Sequence, residues 1–463
     1  MQRLLAIIGL TWKAAFRYRL FWVIVTLLLG AVVGLPLLIK HDGTADGFAQ
    51  ILITYTLGAV TALLGLCTLW LACGTLARDI EECQLQLVLV KPIARWQVWL
   101  GKWLGLVSLN AVLLAVAGGS VYGLIEWRAR GLSDEELFKL RNQVLVARAS
   151  AKPASMDQAI EAETRKRLED LIAKKGLGTA SPDAVANSIR DKLKAEVQVV
   201  GPDQTGIPWQ IHINADRNRL KGQAMYLRVK FNTSAEDSSK TFYANWIVAN
   251  PQTKEYWQSD PMNLAPDTFH EFPVPADLVD DKGDVVVVFH NPNTSSMLFP
   301  LTDGLEVLYR VGGFAPNLIR GLGIILCWMA LLAALGLAAA SFLSFPVAAF
   351  LSLAVLTMGL CSGTLSNVVS EGTVMGTDAE TGAKNSAAVD NVMVPVFRSI
   401  LDVINLVQQF SPVDSLSTGR NVSWAELGRA SAEIVLLLGG ILGAFGVFVF
   451  HRRELATAAV THQ

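Results

Sequence analysis

The chain has 463 residues, 39 Lys and Arg against 40 Asp and Glu, a formal net charge of −1, and a composition 52% hydrophobic but only 17% charged. That balance argues against a nucleic-acid binder, whose domains carry a clustered basic excess, and a mean hydropathy of +0.40 excludes a disordered chain. The apolar residues gather in blocks of about 18 to 25 toward the two ends of the sequence, the length a helix needs to cross a hydrocarbon layer of ~30 Å. A polytopic membrane protein is the class this composition defines.

In chain order, residues 20–38, 50–74 and 104–125 read as three spans, and residues 318–343, 347–369 and 430–450 as three more. The opening "MQRLLAIIGLTWKAAFRYRL" has no compact apolar stretch ending in a small-residue cleavage site, so no cleaved signal peptide is expected. Arg3, Lys13, Arg17 and Arg19 precede the first span, Arg78, Lys91, Arg95 and Lys102 lie between the second and third, and Arg452 and Arg453 follow the sixth. Asp42 and Asp46 mark the loop after the first. Positive loops stay cytoplasmic, which predicts both termini inside and places 126–316 and 370–429 outside a bacterial inner membrane. The five cysteines, Cys67, Cys73, Cys83, Cys327 and Cys361, lie in or beside the apolar blocks, so no disulfide framework is implied.

The long insertion changes period halfway. Over residues 133–196 it reads as charged helix, with Leu137, Leu140 and Val144 at helical spacing, a fresh start at Ser181-Pro182, and Val185, Ile189, Leu193 and Val197 on one stripe. From Trp209 the period falls to two in "WQIHIN", "AMYLRVKF", "TFYANWIV" and "DVVVVFHN". The expected architecture is therefore an α-helical membrane protein with six spans, divided into an N-terminal membrane half (1–126), a helical stalk (127–200), an antiparallel β-sandwich (201–316) and a C-terminal membrane half (317–463).

Little in the spans suggests chemistry. Asn110 reads as an interhelical hydrogen-bonding residue and Glu433 as an interfacial or bundle-facing carboxylate. The six histidines have no paired metal spacing, the run "TDAETGAKNSAAVDN" from Thr377 does not match an EF-hand and reads as a solvated loop, and no G-x-x-x-x-G-K-[ST] phosphate loop occurs. No metal, cofactor or catalytic residue is assigned to this chain, and any ATP-driven work needs another subunit. Phe242, Tyr243, Trp246 and Trp257 on the predicted strands could form an outer recognition surface or fill the sandwich core; Phe242 and Tyr243 are adjacent, so they point to opposite faces.

The most informative stretch is "ARDIEECQLQLVLVKPIARWQVWLGKWLGL", residues 77–106. Charges at Arg78, Asp79, Glu81, Glu82, Lys91 and Arg95 surround an apolar run too short to span, and Trp96, Trp99 and Trp103 follow at i, i+3 and i+7. This predicts a surface helix over 77–102 with its tryptophans anchored at headgroup level.

The same stretch resembles the signature of ABC type-2 exporter permeases, carried here by Glu82, Leu85, Leu87, Leu89, Pro92, Arg95, Gly101 and Lys102, with Cys83-Gln84 where those proteins usually have Gly-Thr. The opening from Arg3 to Arg19 resembles their elbow helix, and "LVQQFSPVDSLSTG" from Leu406 and "FHRRELA" from Phe450 resemble their closing motifs. Membrane subunits of the transporters for nitrous-oxide-reductase maturation and gliding motility are similar in these respects. The resemblance implies a permease whose partners are a cytoplasmic ATPase dimer, carrying the ATP and Mg, and a second permease copy or paralogue. It also implies that Arg78, Asp79, Glu81, Glu82, Lys91, Pro92 and Arg95 couple to that ATPase. Two alternatives stay open: a mechanotransmitter acting on a periplasmic or envelope partner, and a membrane-anchored ligand-binding sensor or scaffold.

Overall fold

The structure is a computed structural model that describes residues 2–38, 45–84, 93–131, 133–175, 182–215, 220, 222–233, 241–301, 303–374 and 389–453. The chain opens with α1 (Gln2–Arg17), α2 (Arg19–Leu38), α3 (Ala45–Glu81), α4 (Arg95–Ala129) and the short α5 (Asp134–Lys139), which runs into a π-turn at Leu140–Val144. A β-rich stretch follows, interrupted early by α6 (Asp157–Lys175) and α7 (Pro182–Gln198). The chain then returns to helix as α8 (Phe314–Ala340), α9 (Phe345–Leu360), α10 (Ser362–Glu371), α11 (Asp390–Gln408), α12 (Pro412–Ser417), α13 (Trp424–Ala430), a π-helical stretch (Ser431–Gly439) and α14 (Gly440–Arg452). Two compact units result, one of residues 1–145 with 313–463 and the other of residues 146–312.

In the helical unit four segments are long and apolar enough to cross a membrane: Gln50–Glu81, Arg95–Trp127, Phe314–Ala340 and Trp424–Arg452. The number rises to six if each of two bent pairs counts as one span, α1 with α2 at 77° and α9 with α10 at 63°. The fifth expected span, 347–369, is thus not one straight helix but breaks at Cys361. Small residues let the helices approach. On α8, a Cβ built at Gly336 would lie 2.6 Å from Ala72 of α3, and on α4 one at Gly105 would lie 2.7 Å from Thr11 of α1. Asn110 behaves as read, its Oδ1 accepting from Thr68 Oγ1 across α3 and α4 at 3.0 Å. Glu433 lies in the π-helical stretch, accepts from Gln409 Nε2 at 2.6 Å and sits 3.5 Å from Arg429.

The second unit is built from strands β1 (Val146–Ala151), β2 (Val199–Val200), β3 (Gln204–Thr205), β4 (Trp209–His212), β5 (Met225–Val229), β6 (Asn232–Thr233), β7 (Phe242–Ala249), β8 (Tyr256–Gln258), β9 (Met262–Leu264), β10 (His270–Val274), β11 (Asp284–Asn291), β12 (Met297–Leu298) and β13 (Leu305–Gly313). One sheet has the order β1-β13-β5-β10 and another β3-β11-β7-β8, and the inward side chains of both share a single apolar core. Met225, Leu227 and Val229 point into it from β5, and Phe242, Ala244, Trp246 and Val248 from β7. Period two is the reason, since alternate side chains reach one face.

The interval 133–196, expected to be helical throughout, is corrected on two counts. Val146–Ala151 is an edge strand paired to β13, its short sequence "VARASA" too poor in large side chains to display a period. Residues 134–144 pack with the helical unit instead of forming a stalk, Leu140 being buried in the core that holds Val121 and Ile125. The remaining helices do form a hairpin. Arg190 binds Glu161 at 2.6 Å across α6 and α7, and this hydrogen bond holds the Glu161 carboxyl below the usual carboxylate range. Pro182 opens α7 as read, while Ser181 and the run from Thr377 through Ala388 lie outside the described residues.

Candidate functional site: the polar tie at one end of the helical unit

Five helix ends converge within the helical unit: the C-termini of α3, α8 and α14 and the N-termini of α4 and α9. The charged residues singled out in the sequence hold them together. On the last turn of α3, Arg78 places its guanidinium 4.5 Å from the Phe345 ring and 5.1 Å from the Tyr18 ring, a cation stacked between two quadrupoles. Asp79 pairs with Lys102 of α4 at 2.5 Å, and the same ammonium donates to the Thr75 carbonyl at 2.7 Å. The Lys102 side chain is only 7% exposed, so its charge is compensated almost entirely by these two acceptors. Glu81 accepts the backbone N–H of Phe345 at 2.9 Å, satisfying a free donor at the start of α9.

Arg95 does the complementary job. Its Nη1 donates to the carbonyls of Phe450 at 3.0 Å, His451 at 2.8 Å and Arg453 at 2.8 Å, acceptors that the C-terminus of α14 leaves without helical partners. Arg453 in turn donates to the Ser341 carbonyl just past α8 at 3.1 Å. Glu82 is exposed and takes no part in the tie; its carboxylate accepts from Gln84 at 2.6 Å. Between them Cys83 has φ of +59°, the left-handed conformation that glycine adopts without cost. Cys83 therefore holds, with a side chain, a backbone conformation that favours glycine. Lys91 and Pro92, like Leu85, Leu87 and Leu89, lie outside the described residues.

The expected surface helix over 77–102 is corrected. Residues 77–81 finish α3 and residues 95–102 begin α4, which continues unbroken to Ala129. The tryptophans change role accordingly. Trp96 is 51% exposed and free to anchor, but Trp99 is 4% exposed, its ring laid on Gly443 and Gly446 of α14, and Trp103 donates its indole N–H to the Ala330 carbonyl of α8 at 2.9 Å. Helical spacing put the three rings on one side, and two of them, Trp99 and Trp103, pack inside the bundle.

The four aromatics of the β-rich unit do not form one surface. Trp246 is fully buried, with Phe289 at 4.7 Å and Phe299 at 5.6 Å, and Phe242 is buried beside Phe231. Trp257 is half-buried and stacks on Phe272. Tyr243 alone is well exposed, at 56%, its backbone N–H and carbonyl both bonded to Asn293. Sequence reading missed Tyr256, also exposed, at the other end of β7 opposite Ala249. It also missed a charge row on the four-stranded sheet, where buried Arg228 lies 3.2 Å from buried Glu306 and 3.6 Å from exposed Glu271, and Phe269 covers the guanidinium at 3.9 Å.

Compared with known proteins, the chain matches no family model, no curated protein and no solved structure.

Proposed function

We propose that this chain is the membrane-spanning permease subunit of an ATP-driven ABC exporter, working with a separate cytoplasmic ATPase and a second permease chain in a bacterial inner membrane. The observation that carries the reading is the polar tie. A push on the end of α3 or the start of α4 reaches the ends of α8, α9 and α14 through Asp79–Lys102, Glu81–Phe345, Arg95–Phe450 and Arg453–Ser341. The resemblance of residues 82–102 to the permease signature adds to it, and the several long apolar helices suit a multi-pass membrane protein. In this reading Glu82 faces the ATPase, whereas Arg78, Asp79, Glu81 and Arg95 pass its motion on.

Charge reversal at a docked residue introduces repulsion without disturbing the bundle. Glu82→Lys is therefore expected to leave the protein inserted and its thermal stability unchanged, while weakening retention of a P-loop ATPase on the tagged full chain and lowering the complex's ATP turnover. Equal ATPase retention and turnover in wild type and variant would sink the docking assignment.

The reading also needs residues 126–316 outside the cell. In a background without the native cysteines, Ser295→Cys is expected to react with an impermeant thiol reagent on intact cells, and Ala94→Cys only after permeabilisation. The opposite pattern would invert the orientation and remove the cytoplasmic placement of the tie.

A further inference from the structure

The first helix is divided lengthwise into three sectors. Ile7, Thr11 and Ala15 are buried against the bundle, Ile7 and Thr11 lying over Gly101 and Gly105 of α4. Leu5 and Phe16 share a second sector and are exposed. Arg3, Lys13 and Arg17 fall within about 80° of one another in the third at 100° per residue, with exposed Leu10 among them. Lys13, Arg17 and the neighbouring Arg19 make no ion pair within the described residues, and no acidic residue occurs in the sequence before Asp42.

Where α1 turns into α2, aromatic rings accumulate. Phe16 lies 5.1 Å from Phe21 and 6.0 Å from Trp22, whose indole N–H donates to the Phe16 carbonyl at 3.0 Å while its ring stays 54% exposed. Exposed indoles tethered in this way belong at the junction of headgroups and acyl chains. The 77° turn there prevents α1 from continuing along α2 into the layer. Exposed apolar side chains next to cations such as Lys13 and Arg17 are the two halves of an interfacial lipid contact.

We infer that α1 is an anionic-phospholipid docking helix, in which Leu5, Phe16 and Trp22 enter the acyl region and Lys13 and Arg17, with Arg3 beside them, hold the phosphates of acidic headgroups. The partner is a lipid of the surrounding leaflet. Zwitterionic lipid satisfies the apolar sector equally well, so the cations supply the selectivity. A basic residue at an anionic surface contributes enough to change affinity about fivefold, and losing two weakens it about 30-fold.

The full chain, purified in dodecyl maltoside, is titrated with dioleoyl phosphatidylglycerol or dioleoyl phosphatidylcholine while its thermal unfolding is followed. Phosphatidylglycerol is expected to raise Tm at mole fractions where phosphatidylcholine does not, 0.5 M NaCl to remove most of the rise, and inorganic phosphate to give none. Lys13→Gln with Arg17→Gln should need about 30-fold more phosphatidylglycerol for the half-maximal rise, and Lys13→Arg with Arg17→Lys should behave as wild type. If the double glutamine variant fails to fold, the two single variants are read, each with a shift of about fivefold. Equal responses to the two lipids, a rise insensitive to salt, or a glutamine variant that titrates like wild type would overturn the assignment. The same loss in Arg452→Gln would trace the effect to net charge and overturn it too.

Discussion

Asp79→Ala is expected to destabilise the helical unit by about 3 kcal/mol, because it leaves the ammonium of Lys102 charged, nearly buried and held by one carbonyl. Lys102→Met costs less, about 1–2 kcal/mol, since the Asp79 carboxylate left behind is 28% exposed and can be hydrated. The double variant Asp79→Ala with Lys102→Met removes both charges and recovers most of the loss. Thermal unfolding of the four proteins in one detergent completes a double-mutant cycle. Single variants that both fall within about 0.5 kcal/mol of wild type would show that the pair contributes little to holding α3 on α4.

Trp246→Ala should cost the β-rich unit about 3–5 kcal/mol, the usual loss for emptying a large aromatic site in a core. The ring is fully buried, and Phe272, Phe289 and Phe299 all close on it. Tyr243→Ala, three residues earlier on the opposite face of β7, should change stability by less than about 0.5 kcal/mol. Urea unfolding of residues 146–312 expressed as a unit separates the two. The fragment must include β1, an edge strand of the four-stranded sheet. A small effect at Trp246 would contradict its position at the centre of the core. A large one at Tyr243 would remove the only one of the four singled-out aromatics still available for recognition.

The contrast between those two residues is legible in the sequence. Period two put Phe242 and Tyr243 on opposite faces, and Trp246 has the parity of Phe242, so the ring that turned inward carried the second with it. The long apolar runs likewise gave α3, α4 and α8 their place, because no soluble arrangement uses so many uncharged residues in a row. The expected surface helix fails for a definite reason. Tryptophans at i, i+3 and i+7 lie on one side of a helix whether that side meets headgroups or another helix, and only the glycines at 443 and 446 decide between them. Those glycines are more than three hundred residues away in sequence. The ion pair of Asp79 and Lys102 was hidden in the same way, since spacing of 23 residues across an intervening turn carries no period.

Arg95 also bears on how the protein is made. Its three acceptors belong to residues 450, 451 and 453, at least 355 positions downstream. While the ribosome is still delivering the later helices, the fork at the start of α4 has nothing to hold, and the α14 face on which Trp99 lies does not yet exist. Closure of this end is thus tied to completion of the chain's last helix, and a product truncated ahead of α14 is left with an open seam and an unsatisfied guanidinium, the kind of defect that quality-control proteases find.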